Sequence, residues 1–177
     1  MWYQLNGVPK GIRTLNRGLR LHGLVSKDLA PAVPSFANWR LSSVSIGVPR
    51  DDLERLVAAA DPSVPIGMRD QALLLCMTEL GMRATDIAAL EIDGVDFAAQ
   101  VLRFRRPKQR KTVELPMTAR LAKALGRYLR HGRPGGSSAF LFVIHRAPCC
   151  RRLSPLGIHG VVIRRATQAG LAGKVRG

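Results

Sequence analysis

The sequence predicts an α+β fold that is mainly α-helical and contains one small antiparallel sheet. Apolar residues recur at helical spacing in six separate segments. Only the stretch 91–115 changes to the alternation of apolar and polar residues that is typical of strands. The chain has 177 residues, of which 46% are hydrophobic, so it is large and apolar enough to bury a core.

The helices are predicted from their apolar spacing together with their start and stop signals. Asp51 and Asp52 suit the positive N-terminal end of one helix, and Ser154 is a typical cap for the last one. Gly81 ends a helix whose apolar run 73–77 covers too many sides for a surface helix, which predicts that it is buried. The six predicted helices cover residues 9–22, 50–60, 67–80, 84–90, 118–131 and 155–169.

The strands are predicted as a hairpin. Residues 101–105 and 112–115 alternate on either side of the polar turn 107–110, and a third short strand is expected near 92–95. Residues 31–49 are rich in proline and serine and have no helical period, which is typical of an interdomain linker. We therefore expect the end of one domain at 1–30 and a second domain at 50–177.

The charge distribution makes nucleic acid the first candidate partner. The formal net charge is +16, from 28 Lys and Arg against 12 Asp and Glu. Residues 28–96 hold eleven acidic and five basic residues, whereas residues 97–177 hold eighteen basic residues and the single acid Glu114. This asymmetry predicts one basic side that faces a polyanion, although a solvated basic surface is the alternative.

Other partners fit the composition less well. No amphipathic segment combines a basic face with a large aromatic one, and no apolar stretch approaches the roughly 18 residues of a membrane span, so we expect no membrane. An RNA-binding protein is a rival, but single-strand readers usually expose aromatic residues, and only 5% of this chain is aromatic. Cys76, Cys149 and Cys150 offer neither a disulfide framework nor a paired metal spacing, which predicts no metal site and a reducing, cytoplasmic setting.

Two motifs connect these elements to a known chemistry. The buried helix ends in the sequence GMRATD at 81–86, and the basic hairpin turn PKQRK at 107–111 places Lys108 25 residues after Arg83. Both motifs resemble those of the tyrosine recombinase (phage integrase) family, whose first arginine box is roughly Gly-Leu-Arg-x-Ser-Glu and whose hairpin turn is roughly Gly-Lys-Gly-x-Lys. The stretch 23–43 also looks like the family's junction between its core-binding and catalytic domains.

The resemblance implies catalytic roles for three residues. In the family a tyrosine attacks a DNA phosphate to give a 3′-phosphotyrosine and a free 5′-hydroxyl, and no metal or nucleotide cofactor takes part. Arg83 matches the first catalytic arginine, whose guanidinium binds the non-bridging oxygens. Lys108 matches the lysine that protonates the leaving oxygen, although Lys111 and four neighbouring arginines are alternatives to it, and the basic run is otherwise a solvated or phosphate-contacting face. Asp86 matches the supporting acid; alternatively, it only adds negative charge to the first turn of its helix.

The resemblance also implies the partner and the domain organisation. Double-stranded DNA would be bound mainly through its phosphates, and intact relatives assemble as recombinase oligomers on DNA. Residues 1–30 would be the C-terminal end of a helical core-binding domain, 31–49 a linker, and 50–177 the N-terminal part of a catalytic domain. The hairpin residues expected to bind DNA are Arg103, Arg105, Arg106, Arg110 and Lys111.

Two parts of the family's active site have no match in this sequence. The second box requires a histidine followed three residues later by arginine, and none of the four histidines has arginine there. The only tyrosines are Tyr3 and Tyr128, and Tyr128 lies on the apolar face of a predicted helix. We therefore expect a truncated catalytic domain that binds DNA without cutting it. The alternative is a basic DNA-binding or regulatory module that never required this chemistry.

Overall fold

The computed structural model describes residues 7–33, 47–105, 112–146 and 150–172. The chain divides into two compact units, residues 1–46 and residues 47–177. The boundary lies inside the segment 31–49 that the sequence predicts as a linker. The assignment of these units to a core-binding and a catalytic domain stays a prediction.

Among its described residues, the first unit contains helix α1 (Gly7–Leu21) and a short 3-10 turn (Ala30–Ala32). The segment after the helix folds back onto it through Asp28. The Asn16 side-chain amide donates to the Asp28 carboxylate at 3.0 Å, and Arg20 forms an ion pair with the same carboxylate at 3.1 Å. The helix and the turn that follows it are therefore held together mainly by polar contacts.

The second unit contains five helices and three strands among its described residues. The strands form one antiparallel sheet in the order β1-β2-β3, in which Leu102 is opposite Leu115 and Phe104 is opposite Val113. Its elements are α2 (Arg50–Ala58), α3 (Pro65–Thr78), α4 (Ala84–Ala88), β1 (Val95–Asp96), β2 (Val101–Arg105), β3 (Thr112–Pro116), α5 (Ala119–Arg127) and α6 (Pro155–Gln168).

The predicted fold class is confirmed, and the predicted helices and hairpin strands are each found at their expected place. One difference lies after α5, where a π turn (Tyr128–Gly132) replaces the last predicted turn of helix. In this wider turn both Tyr128 and Gly132 are buried. A Cβ atom added at Gly132 would lie 3.0 Å from the Met68 sulfur. The helix ends in this way because Tyr128 and the glycine both pack into the core.

Helix α3 forms the centre of the core, as its apolar sequence predicts. Residues 72–76 are at most 1% exposed, and α3 contacts each of the other four helices of this unit. Burial raises the pKa of the Cys76 thiol to about 12, so this side chain remains a neutral apolar group.

Gly81 turns the chain from the core helix to the surface. Its φ of +62° is favoured by glycine, and its N–H donates to the Met77 carbonyl at 3.1 Å. Met82 then returns to the core at 5% exposure, and Arg83 is exposed. The end of α3 thus determines where Arg83 leaves the protein.

Three charged residues, two on α3 and one on α6, are buried together. Asp70 is 0% exposed, and its two carboxylate oxygens bind different arginines. One oxygen accepts from Arg69 Nε and Nη2 at 2.9 and 2.7 Å, and the other accepts from Arg165 Nε and Nη2 at 3.0 and 2.7 Å. Because Arg69 and Asp70 lie on α3 and Arg165 lies on α6, the two charge-assisted hydrogen bonds from Arg165 join the two helices.

The outer faces of both guanidiniums bind backbone carbonyls. Arg69 Nη1 donates to Val143 O at 3.2 Å, and Arg165 Nη1 donates to Ala59 O at 3.2 Å and to the Gln168 side chain at 2.8 Å. The cluster therefore also fixes the end of α2 and the loop before α6.

None of the helices in the described residues is long and apolar enough to cross a membrane.

We predict that Asp70→Ala destabilises the fold by about 3–5 kcal/mol, because it leaves two buried guanidiniums without their anion. Urea unfolding at neutral pH measures this change. Asp51→Ala is the matched control, since Asp51 is exposed at the start of α2 and its loss should cost less than about 1 kcal/mol. Equal effects of the two variants would contradict a structural role for the cluster.

Candidate functional site

Arg83, a sequence-predicted site residue, is exposed at the start of α4. It occupies the N-cap position of α4 with extended backbone angles, φ −78° and ψ 153°, and its side chain is exposed. Among the described residues, no side chain or carbonyl accepts a hydrogen bond from its guanidinium. Its fork of donors is therefore available to an external anion.

Asp86 lies in the first turn of α4, three residues after Arg83, and is buried to 7% exposure. The contact that the structure gives between the two residues is in the backbone, where Asp86 N donates to Arg83 O at 2.9 Å. This bond forms the first turn of the helix and fixes the backbone from which the Arg83 side chain extends. The catalytic roles of both residues stay predictions.

The hairpin residues expected to bind DNA fall into two groups. Lys108, Arg106, Arg110 and Lys111 belong to the stretch 106–111, which lies outside the described residues. Arg103 on β2 is held by two carboxylates, Glu114 at 2.7 Å and Asp96 at 3.0 Å. The hydrogen bond with Glu114, then that with Asp96, raises the Arg103 pKa. Arg105, two residues further along β2, is exposed.

A groove of about 550 Å³ runs along the base of the hairpin. Arg105 and Thr112, which directly flank the hairpin turn, line one side of it. Ala89, at the C-terminal end of α4, and the side chains of Phe140 and Arg152 also line it. The structure thus brings the hairpin base and the helix that follows Arg83 to one concave surface.

Arg152 was not singled out by the sequence, and nothing in its loop sequence distinguishes it from the adjacent Arg151. In the structure its Nε donates to Ala88 O at 2.6 Å, and its guanidinium lies 4.8 Å from the centre of the Phe140 ring. The charge is exposed, but its position is fixed by a hydrogen bond and a cation–π contact.

The tyrosine within the described residues does not occupy a position from which it could attack DNA. Tyr128 is 0% exposed, with its ring stacked on Phe142 and on His145. Burial raises the pKa of its hydroxyl to about 12, so the group is neutral at physiological pH. The Val143 backbone approaches the hydroxyl, but no group of the described chain meets it at hydrogen-bonding geometry.

His145 Nε2 is a second buried polar atom without a hydrogen-bond partner in the described chain. Burial, followed by the positive charge of Arg69, lowers the pKa of His145 to about 4, and Asp70 opposes this shift. The imidazole is therefore neutral at physiological pH, and protonating it would place a further cation beside the buried charge cluster.

Similarity to known protein sequences identifies the class of this protein. The sequence profile of the Phage integrase family matches residues 48–176. This match covers most of the chain, and the chain therefore belongs to the phage integrase, or tyrosine recombinase, family.

Individual relatives agree with this assignment. Over 170 residues the chain is 35% identical to the Sinorhizobium fredii protein named "Putative integrase/recombinase y4rA", covering 96% of this chain and 41% of the relative. Over 126 residues it is 33% identical to "Tyrosine recombinase XerC" of Oceanobacillus iheyensis, covering 69% of this chain and 39% of the relative. The chain therefore spans about two fifths of the length of these relatives.

Solved structures show the same fold. The chain is similar to a lambda integrase (residues 75–356) dimer bound to a COC′ core site, with a TM-score of 0.69 at 12% identity, covering 94% of this chain and 58% of that one. It is also similar to XerA recombinase, with a TM-score of 0.65 at 22% identity, covering 94% and 55% of the two chains. The mainly helical fold with its three-stranded antiparallel sheet is that of the integrase catalytic domain.

We predict that the stability of the fold decreases as the pH falls from about 6.5 to about 4, in part because of His145. Its pKa is lower in the folded chain than in the unfolded chain, so the unfolded chain binds the extra proton in this window. His145→Phe keeps an aromatic ring beside Tyr128 but cannot be protonated.

The measurement is the urea midpoint at several pH values for the wild type, His145→Phe and the exposed control His131→Gln. Carboxylates titrate in the same window, so the difference between the variants is the informative quantity. We expect a shallower pH dependence for His145→Phe alone. A profile parallel to that of the wild type would show that His145 is not responsible.

Proposed function

We propose that this chain is a DNA-binding protein of the integrase class that contributes Arg83 to a strand-exchange site. The observation that carries the proposal is the exposure of Arg83 at the start of α4. The sequence resemblance matches this residue to the family's first arginine box. A guanidinium donates two parallel hydrogen bonds to phosphate oxygens, so Arg83 would stabilise the charge that develops on a reacting phosphodiester.

The remaining predicted residues complete the proposal. Lys108, in the sequence-predicted turn 107–110, would protonate the leaving 5′-oxygen, and Asp86 would stabilise the helix start that presents Arg83. Arg105 and the basic residues of the turn would bind neighbouring phosphates of duplex DNA. The solved structures include a lambda integrase dimer on a core site and a tetramer on a Holliday junction, which supports DNA as the partner and an oligomeric assembly.

We further propose that the 177-residue chain alone binds DNA without forming a covalent intermediate. Tyr128 is buried and neutral, and Tyr3 is the only other tyrosine of the sequence. No histidine of the chain is followed three residues later by arginine, so half of the family's phosphate-binding groups have no counterpart here. A role in DNA binding or in regulation of a complete recombinase is the second candidate function, and the burial of Tyr128 favours it.

The first prediction for this function concerns salt. The affinity for duplex DNA should fall by about a thousandfold between low and physiological salt if about six phosphates are contacted, because their counterions are released on binding. Fluorescence anisotropy with a labelled duplex measures it, and an affinity that does not change with salt would reject DNA binding through phosphates.

Arg103 and Arg105 provide a matched pair for the same measurement. Arg105→Ala should weaken binding to all sequences and reduce the salt slope by about one. Arg103→Ala should have a smaller effect, because two carboxylates already hold that guanidinium. The reverse order would show that Arg103 leaves its carboxylates to bind DNA.

The second prediction concerns covalent chemistry. Incubated with a pool of nicked suicide duplexes of randomised sequence, the chain should give no DNA-linked band under denaturing conditions, because Tyr128, the tyrosine among the described residues, is buried and neutral. An intact family member on its own site is the positive control. A band that is lost in Tyr128→Phe or Tyr3→Phe would identify that tyrosine as the nucleophile and overturn the proposal.

A chimera tests the role of Arg83 separately. Appending the C-terminal segment of y4rA should restore the covalent band on that relative's own site, and Arg83→Ala in the chimera should reduce it by about 100-fold or more. If Arg83→Ala left the band unchanged in a folded chimera, Arg83 would not be part of the strand-exchange site.

A further inference from the structure

Arg152 combines three properties that favour phosphate binding and that no other described arginine in the hairpin groove combines. Its guanidinium is exposed, it lines the groove, and it is fixed in place by Ala88 O and by the Phe140 ring. Within the described chain it forms no ion pair with a carboxylate. Arg103, in the same groove, is held by two carboxylates, and Arg105 has no such support.

The backbone at Arg152 is hydrogen-bonded to the segment around Val143. Arg152 forms an antiparallel bridge with Val143, and the next residue, Leu153, donates its N–H to Phe142 O at 2.9 Å. Phe140 is held in turn by a bridge to Glu91. Both the arginine and the ring on which it stacks are therefore fixed by the backbone, which reduces the entropy lost when the guanidinium binds a ligand.

The hydrogen bond from Arg152 also determines which of its donors remain. Nε is used by Ala88 O, the carbonyl of the last residue of α4, and the two Nη groups form no hydrogen bond within the described residues. Those groups present up to four N–H donors at the hairpin base. Since α4 is a five-residue helix that begins directly after Arg83, Arg152 is attached to the opposite end of the helix that presents Arg83.

We propose that Arg152 binds a phosphate of the DNA backbone in this groove, together with Arg105 on the facing hairpin strand. The inference rests on the proposed function, because it requires duplex DNA along the hairpin. It assigns a positioning role to Arg152: the arginine would hold the strand against the base of the hairpin and against α4, beside the residue that binds the reacting phosphate.

The acidic residues of the groove define the ligand more closely. Glu91 and Asp93 line it together with three arginines, so its net charge is small. A free inorganic phosphate gains little in such a mixed surface. A DNA strand is held by many other cations at once and can place one phosphate against Arg152. The ligand is therefore a phosphodiester within a polyanion, and inorganic phosphate should not compete for the groove beyond its ionic strength.

The test compares Arg152→Ala with Arg151→Ala in the full chain, with a labelled duplex of arbitrary sequence as the probe. Arg151 is the matched control, because it is equally exposed and adjacent but does not line the groove. We expect Arg152→Ala to weaken binding by about tenfold and to lower the salt slope by about one. Arg151→Ala should change the affinity by about threefold or less.

Two conservative variants separate binding from folding. Arg152→Lys keeps the charge but loses the bond to Ala88 and the planar stacking, and Phe140→Leu removes the ring but keeps the arginine. Both should weaken DNA binding by a smaller factor than Arg152→Ala. Thermal unfolding of each variant shows that the fold is retained, and if Arg152→Ala does not fold, these two variants carry the test.

The outcomes distinguish the inference from the function on which it rests. If the wild type does not bind duplex DNA, both are overturned. If it binds and Arg152→Ala, Arg152→Lys and Phe140→Leu behave like Arg151→Ala, only the role of Arg152 is overturned. Competition by inorganic phosphate that exceeds that of chloride at equal ionic strength would show a free-anion site and would also overturn the proposal.

Discussion

The arrangement of the second unit depends on one buried carboxylate, that of Asp70. Removing a charge from water costs several kcal/mol, and three charges are buried here. This cost is offset only if the carboxylate and both guanidiniums keep their full set of partners in good geometry. The bonds from Arg69 and Arg165 to the carboxylate, and their outer bonds to Val143 O and Ala59 O, form such a set. The cluster therefore allows one relative placement of α3, α6, the end of α2 and the loop before α6.

The segments that carry the candidate site are direct continuations of the elements that this cluster holds. The chain leaves α3 through Gly81 and reaches Arg83 two residues later. The loop fixed by Arg69 at Val143 pairs with Arg152, which in turn binds the last carbonyl of α4. The backbone at Arg83 directly continues a core helix, and the backbone at Arg152 pairs with Val143, whose carbonyl is bound by the buried cluster. Both arginines therefore extend from backbone that is connected to the core. A surface cation on such a support loses less entropy on binding a phosphate than one on a free loop.

The sequence predicts the fold well because its helices are specified locally. Apolar spacing, Gly81 at a helix end and Ser154 at a helix start are signals within a few residues of the element they define, and the Ser154 side chain does accept from Gly157 N at 3.1 Å. The site is predicted less completely, since its partners are distant in sequence. The carbonyl that fixes Arg152 lies 64 residues away, and the second arginine of Asp70 lies 95 residues away. A sequence period contains no information on such pairs.

This distinction changes how the positive charge of the chain is interpreted. The eighteen basic residues after position 96 predict a DNA-facing surface only if their charges are free to meet phosphates. The guanidinium of Arg165 is bound to the buried Asp70 carboxylate. That of Arg133 donates to the carbonyls of Ser138 and Phe140 at 2.7 and 3.0 Å. Their guanidiniums stabilise the fold and have few donors left for a ligand. Arg83 and Arg105 differ from them in exposure, not in residue type. The candidate DNA-binding surface is therefore defined by which cations the fold leaves exposed with donors still free for a ligand, and net charge alone overstates its extent.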